Sequence, residues 1–389
     1  MTHKLATDAI HLGEGADPSA NPLTVPIYET TTYVFKDAAE VEAFQAGKSD
    51  RYLYTRYGNP TVMAVEKKLA AIEGGEAALL LSSGMAAVST AILSRVKAGD
   101  EVVCGSAIYG GTLHLLSDLL TRFGIRSRFV EPSAMSDPAT YADTTTLAWF
   151  ESPINPTLRC VDIAAVARAC RARGVTSVID STFGTPINQR PLDLGVDIVM
   201  HSATKYLNGH GDITAGVLVG SADAMKDCAY ARKMIGTVLD PAAAYAVGRG
   251  LKSLSARMAV HNANAMRLAE WLEKSGKVSR VYYPGLASHP DHAIATQQMP
   301  GGFGGMVCID LDGDYQRVTR FYDRLQLFKR AASLGGTESL ISLPVLTSQY
   351  GHTADQLAAA GVTRGMARLS VGIEDVDDLK SDLEQALAI

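Results

Sequence analysis

Seven short, mostly apolar segments recur along one stretch of this chain, and their rhythm restricts the fold more than any other feature. They are "AALLLS" (77–82), "EVVCG" (101–105), "RSRFV" (126–130), "TLAWFES" (146–152), "TSVIDS" (176–181), "DIVMHS" (197–202) and "AGVLVG" (215–220). Helical patterns such as "DIAAVARACRARG" (162–174) separate most of them. A strand with one wet face alternates apolar and polar residues, whereas a strand covered on both faces reads as a continuous apolar run. The pattern therefore predicts an α/β fold, with a mostly parallel seven-stranded sheet and helices on each side.

Around this block the 389 residues divide into three. Residues 1–60 read as an irregular arm with one strand-like stretch, "VPIYETTTYVF", placed to contact a neighbouring subunit. Residues 61–245 form the large domain. It opens with "TVMAVEKKLAAIEG", which puts Val62, Val65, Leu69 and Ile72 on one helical face and stops at Gly74-Gly75. Residues 246–389 change rhythm. A long helical stretch, "AAAYAVGRGLKSLSARMAVHNANAMRLAEWLEKSG", begins just before the boundary and leads into strands "RVYYPG", "GGMVCIDLDG" and "ARLSVGIE". A closing helix striped by Val376, Leu379, Leu383 and Leu387 follows, which predicts a smaller C-terminal α+β domain.

Composition excludes several functions. A net charge of −5 carries no basic excess for nucleic acid or an anionic membrane. Five cysteines without a C-x-x-C pair fit neither a disulfide framework nor a zinc site, so reduced thiols in a cytoplasm are expected. No apolar run approaches the ~20 residues of a membrane span, and "MTHKLATDAIHLGEG" has no apolar signal core.

In open parallel sheets ligands bind beyond the carboxyl ends of the strands. The residues there are Ser83, Gly84 and Met85; Tyr109, Gly110 and Gly111; Ser152 and Asn155; Asp180; and Ser202, Thr204 and Lys205. Each has an ordinary reading: helix caps for Ser83 and Asp180, packing for Tyr109, a solvated strand end for Lys205. Together they suit one chemistry, that of pyridoxal phosphate (PLP). The cofactor needs a lysine amine for attachment, a carboxylate for its ring nitrogen, an aromatic face, and amides and hydroxyls for its phosphate.

With those residues in view, the chain resembles the PLP-dependent enzymes of cysteine and methionine metabolism. These include cystathionine γ-lyase, cystathionine β-lyase, cystathionine γ-synthase, methionine γ-lyase and the homoserine sulfhydrylases. The stretch "SATKYLNGH" is similar to the family's lysine signature, supported by "YLYTRYGNPT", "SSGMAA", "YGGT", "ESPINPT", "SLGGTESL" and "RLSVGIED". The resemblance implies the PLP-dependent transferase fold type I, aspartate aminotransferase-like. It implies Lys205 as the cofactor-bearing acid–base residue and Asp180 at the pyridine nitrogen. Gly84, Met85, Ser202 and Thr204 would take the phosphate. Tyr109 would stack on the ring and assist elimination. Asn155, Ser333 and Arg368 would surround the substrate carboxylate. Tyr54 and Arg56 would reach a neighbouring subunit's phosphate, which implies a homo-oligomer, a tetramer built from dimers with shared active sites.

Three positions depart from the pattern. Ser181 stands where the family often has asparagine. Ala332 stands where γ-chemistry on cystathionine commonly goes with glutamate, β-lyases carry an aromatic and methionine γ-lyases a small apolar residue. Gly111 stands where methionine γ-lyases carry cysteine. The two specificity positions point in different directions. The implied reaction is γ-elimination of a γ-substituted L-amino acid, of cystathionine or methionine type, with γ-replacement and cystathionine β-elimination as rivals. A non-catalytic binder would have lost Lys205, Asp180 or Arg368. A Rossmann dehydrogenase would show an early G-x-G-x-x-G, and "PGGFGGMV" (300–307) precedes a strand and reads as a loop.

Overall fold

The computed structural model describes residues 3–15, 20–351 and 353–388. All seven apolar segments are strands of one sheet: β1 (Ala77–Leu81), β2 (Glu101–Gly105), β3 (Arg126–Val130), β4 (Thr145–Glu151), β5 (Thr176–Asp180), β6 (Ile198–His201) and β7 (Gly216–Gly220). Their order is β1-β7-β6-β5-β4-β2-β3, and only β7 runs antiparallel to its neighbours, β1 and β6.

The strand pleat explains the continuous apolar runs. Trp149 and Phe150 are consecutive in β4, point to opposite faces, and are each at most 1% exposed. Trp149 joins Val102, Cys104, Val178 and Met200 in one cluster, while Phe150 joins Val103, Ile179 and Val199 in another. Helix Ile163–Ala172 covers the second face with Ile163, Val166, Ala167 and Cys170. Helix Pro60–Glu73 packs Val62, Val65, Leu69 and Ile72 against the sheet near β1 and β7, and ends at Gly74 with a φ of 85° that suits glycine.

A second sheet contains β8 (Arg280–Tyr282), β9 (Met306–Asp310), β10 (Lys329–Arg330), β11 (Leu340–Ser342) and β12 (Met366–Ser370), in the order β10-β11-β12-β9-β8. Ala367 and Leu369 of β12 face a core shared with Val307, Ile309, Leu379 and Leu383. The alternation turns Arg368, between them, to the opposite face. β10 and β11 have two and three residues, too short to register as periodicity.

Two other expectations need correction. The stretch "VPIYETTTYVF" is not a strand; its one pairing is an isolated bridge from Thr32 to Tyr54. The arm instead carries two short helices, Leu5–His11 and Ala38–Gln45, the second capped by Asp37. Residues 1–2 and 16–19 of the arm lie outside the described residues. The long helical stretch is two helices, Pro241–Lys252 and Leu254–Lys274, broken at Ser253. Arg257 reaches back to Ser253 Oγ at 3.0 Å and to the Gly250 carbonyl at 2.8 Å. It also donates to the Tyr206 carbonyl at 2.8 Å, which ties the break to the loop after Lys205.

β7 lies hard against the start of the helix Gly84–Leu93. A Cβ on Gly216 would stand 2.1 Å from the Ser83 carbonyl oxygen and 2.9 Å from Ala87 Cβ. Backbone cannot yield as a flexible side chain does. Gly216→Ala is therefore expected to cost about 1–3 kcal/mol through overpacking, measured as a lower denaturation midpoint in urea. An unchanged midpoint would show that this contact is not tight.

Candidate active site

The carboxyl ends of β2, β4, β5 and β6 open onto a cavity of about 550 Å³, closed on the far side by residues around β12 and by Leu346–Ser348. Chain order reverses between β2 and β4, the position where ligands gather in open α/β sheets. Gly84, Met85, Tyr109, Asn155, Asp180, Ser202, Thr204, Lys205, Ala332, Ser333 and Arg368 all line this cavity. Three of the fourteen residues singled out from sequence do not. Gly111 sits behind the wall, where an added Cβ would lie 2.5 Å from Tyr109 Cε1 and 2.9 Å from Met85 Sδ. Tyr54 and Arg56 stand apart from the cavity. Arg56 donates to the Lys233 carbonyl at 2.9 Å and stacks on the rings of Tyr54 and Tyr57.

Lys205 lies in the turn after β6, and its Nζ donates to Ser333 Oγ at 2.9 Å. Burial, and then the nearby charge of Arg368, hold its amine below the ordinary lysine range. Arg368 is 7% exposed. Its Nη1 donates to Asn155 Oδ1 at 2.9 Å and its Nη2 to the Ser333 carbonyl at 3.3 Å. Both acceptors are neutral, and Nε is buried without a partner among the described residues. A guanidinium held this way is preset for a carboxylate.

Asp180 ends β5. Its Oδ1 accepts from the Thr182 amide at 2.9 Å and the Thr182 hydroxyl at 2.5 Å. Burial raises its carboxyl, while those two bonds and the imidazole of His201 oppose the rise. Thr182 Oγ1 in turn accepts from the Ser202 amide at 2.8 Å, so one hydroxyl bridges β5 to the turn after β6. Thr182 had no assigned role in the sequence; its D-x-T spacing was the available signal.

At the other end, the helix Gly84–Leu93 points its N-terminus into the cavity. Ser83 Oγ caps the Ala86 amide at 3.0 Å, and the amides of Gly84 and Met85 precede that cap. A Cβ on Gly84 would meet Ser202 Cβ and Oγ at 3.0 Å, so the glycine lets the helix start close on the serine. Thr204 is more committed: its hydroxyl donates to the Ala215 carbonyl at 3.1 Å and accepts from the Ala215 amide at 2.9 Å.

This donor set fits PLP. A phosphate suits first-turn amides beside the Ser202 hydroxyl, a ring nitrogen suits Asp180, and a carbonyl carbon suits a buried amine of lowered basicity. Sheet topology and pocket together define a PLP enzyme of fold type I.

Comparison with known proteins narrows this further. Residues 6–388 match the family described as Cys/Met metabolism PLP-dependent enzyme. The chain is 43% identical over 386 residues to an L-methionine gamma-lyase of Pseudomonas putida, covering 98% of this chain and 96% of that one. It is 40% identical over 385 residues to a cystathionine beta-lyase of Lactococcus lactis, covering 98% of each. A crystal structure of cystathionine gamma-lyase from Lactobacillus plantarum complexed with L-serine superposes with a TM-score of 0.92 at 37% identity, over 99% of both chains. The chain belongs to the Cys/Met metabolism family of PLP-dependent enzymes.

Removing the Arg368 charge would let the Lys205 amine move back toward its ordinary value. The neutral amine is the reactive form, so Arg368→Met is expected to shift the pH profile for PLP capture by the apo-protein to higher pH. Stopped-flow absorbance of PLP binding across pH measures this, and a profile that stays in place or moves lower would refute it.

Proposed function

We propose that the protein is a carbon–sulfur lyase that carries out γ-elimination on a γ-substituted L-amino acid, of cystathionine or methionine type, releasing a 2-oxo acid and ammonia. The observation that carries the reading is the placement of Lys205, hydrogen-bonded to Ser333, in the same cavity as the Arg368–Asn155 carboxylate clamp and Tyr109. Bound PLP would supply the electron sink for a carbanion at the substrate Cα. Arg368 and Asn155 would hold the substrate carboxylate and so orient the Cα–H bond toward Lys205. Lys205, with its lowered basicity, would take the Cα proton at Nζ. Once the Cα proton has been handed on to the bound cofactor, Lys205 Nζ would take a second proton from Cβ, the Tyr109 hydroxyl would protonate the sulfur departing from Cγ, and water would complete release of the 2-oxo acid and ammonia. Asp180 would hold the ring nitrogen, and Gly84, Met85, Ser202 and Thr204 the phosphate.

Rival outcomes share the first proton transfer, and the similarity to a cystathionine beta-lyase keeps β-elimination in the test. The protein is incubated with cystathionine, methionine and O-acylhomoserine, with and without a thiol, and the products are identified. 2-Oxobutyrate is expected. Pyruvate would replace the reading by β-elimination, and a new thioether by γ-replacement. Lys205→Ala is expected to abolish both turnover and the long-wavelength band of the bound cofactor; retention of either would overturn the role of this lysine.

The assembly completing the site would be a homo-oligomer, a tetramer built from dimers in which Tyr54 and Arg56 reach the neighbour's phosphate. Their position outside their own cavity supports this, as does the 40% exposure of Tyr54. Its compartment would be the cytoplasm, in keeping with five buried cysteines without disulfides. Mixing a Tyr54→Ala/Arg56→Ala chain with a Lys205→Ala chain is expected to restore part of the activity. Verified mixed oligomers without recovery would exclude shared sites.

A further inference from the structure

Two carboxyl groups, not one, face the cavity from adjacent strands. Glu151 ends β4, Asp180 ends β5, and the two are register partners. Both line the cavity. Asp180 has a role in the reading above; Glu151, the first residue of the "ESPINPT" stretch, has none.

Their surroundings differ. Asp180 accepts two hydrogen bonds from Thr182 and feels the imidazole of His201. Glu151 accepts one bond from the described residues, from the Tyr109 backbone N–H to Oε1 at 2.6 Å. The titratable group acting on it is Asp180 on β5, which is not a cation. Burial and then the charge of Asp180 push the Glu151 carboxyl well up. Carboxylates on paired positions of adjacent strands disfavour each other's ionisation. The donors decide which keeps the charge, and they favour Asp180.

The single bond that Glu151 accepts also falls at a telling place. Tyr109 precedes the five-residue helix Gly110–His114, and no side chain caps that helix from Tyr109 itself. The Tyr109 ring is 47% exposed, so packing alone does not fix it. Its place over the cavity depends on where its backbone is held.

We propose that Glu151 is a positioning residue: a neutral carboxyl that pins the Tyr109 backbone at the cavity rim and leaves Asp180 as the one ionised partner for the cofactor ring. Oε1 accepts the amide, and the acid proton belongs to Oε2. The proposal rests on the cavity being the PLP site, but not on which bond of the substrate is broken.

The test titrates PLP into apo-protein without substrate and reads the dissociation constant by absorbance and the circular dichroism of the bound-cofactor band. In Glu151→Gln the amide oxygen still accepts the Tyr109 N–H and the group stays neutral, so affinity is expected within about threefold of the parent. Asp180→Asn is expected to weaken it by more than about tenfold, equivalent to one step in the affinity scale. Glu151→Leu removes the acceptor, and the dichroic band is expected to fall while Glu151→Gln retains it. Weakening of Glu151→Gln to the level of Asp180→Asn would overturn the proposal, because Glu151 would then carry a needed charge. A Glu151→Leu protein with the parent's affinity and dichroism would overturn it too. If Glu151→Leu does not fold, the comparison of Glu151→Gln with Asp180→Asn still decides. A parent protein that binds no PLP sinks both this proposal and the functional reading; one that binds PLP but yields pyruvate or a thioether sinks only the latter.

Discussion

Arg368 is a buried guanidinium whose protein partners are neutral oxygens, and much of the site follows from that. An unpaired buried charge is costly, and here the cost is met by geometry prepared for an anion. β12 supplies the rigidity: it lies between β9 and β11, with Arg368 opposite Cys308 on one side and Ser342 on the other. Across the cavity, Asn155 supplies the nearest oxygen. The same charge depresses the basicity of Lys205, so in the proposed reaction one residue would both receive the substrate carboxylate and ready the amine that takes the substrate proton.

The large sheet holds the opposite end of the same electrostatic arrangement. Two basic side chains, Lys205 and Arg368, share the cavity with two carboxyl groups, Asp180 and Glu151, and with a helix N-terminus that favours negative charge. The charges are separated by strand position rather than by flexible arms. β4 and β5 carry the acids, the turn after β6 carries the lysine, and the second sheet carries the arginine. Thr182 joins this frame together, since one hydroxyl donates to Asp180 and accepts from Ser202. A shift of β5 against β6 would disturb Asp180 and Ser202, the proposed partners of ring nitrogen and phosphate, at once.

The large sheet was legible because its strands are buried on both faces, which removes polar residues from consecutive positions; β4 shows it with Trp149 and Phe150. β10 and β11 were not, because two or three residues give no period. The arm misled for a related reason. Its β-branched and aromatic residues carry strand propensity, yet Thr32 and Tyr54 make one bridge and Val34 stays 91% exposed. Propensity without a partner strand does not make a sheet. In the site, Lys205, Asp180 and Arg368 could be found because motif and strand end coincide. Glu151 also ends a strand and opens "ESPINPT", but what it meets, Tyr109 and Asp180, lies 42 and 29 residues away in the chain and no pattern links them.

Gly111 shows how a position outside the cavity shapes what happens within it. A side chain there would collide with the edge of the Tyr109 ring and with Met85 Sδ. Both are ends of rotatable side chains, so a larger residue is admitted by moving them rather than by unfolding the helix. With glycine, the Tyr109 ring settles against Gly111 while Glu151 holds its backbone from the other side. Ala332 adds no charge to the cavity wall, which Leu346 and Thr347 also line. The ring that would deliver a proton to the departing group is thus bounded by one glycine and one carboxyl, neither of which has to touch the substrate to move it.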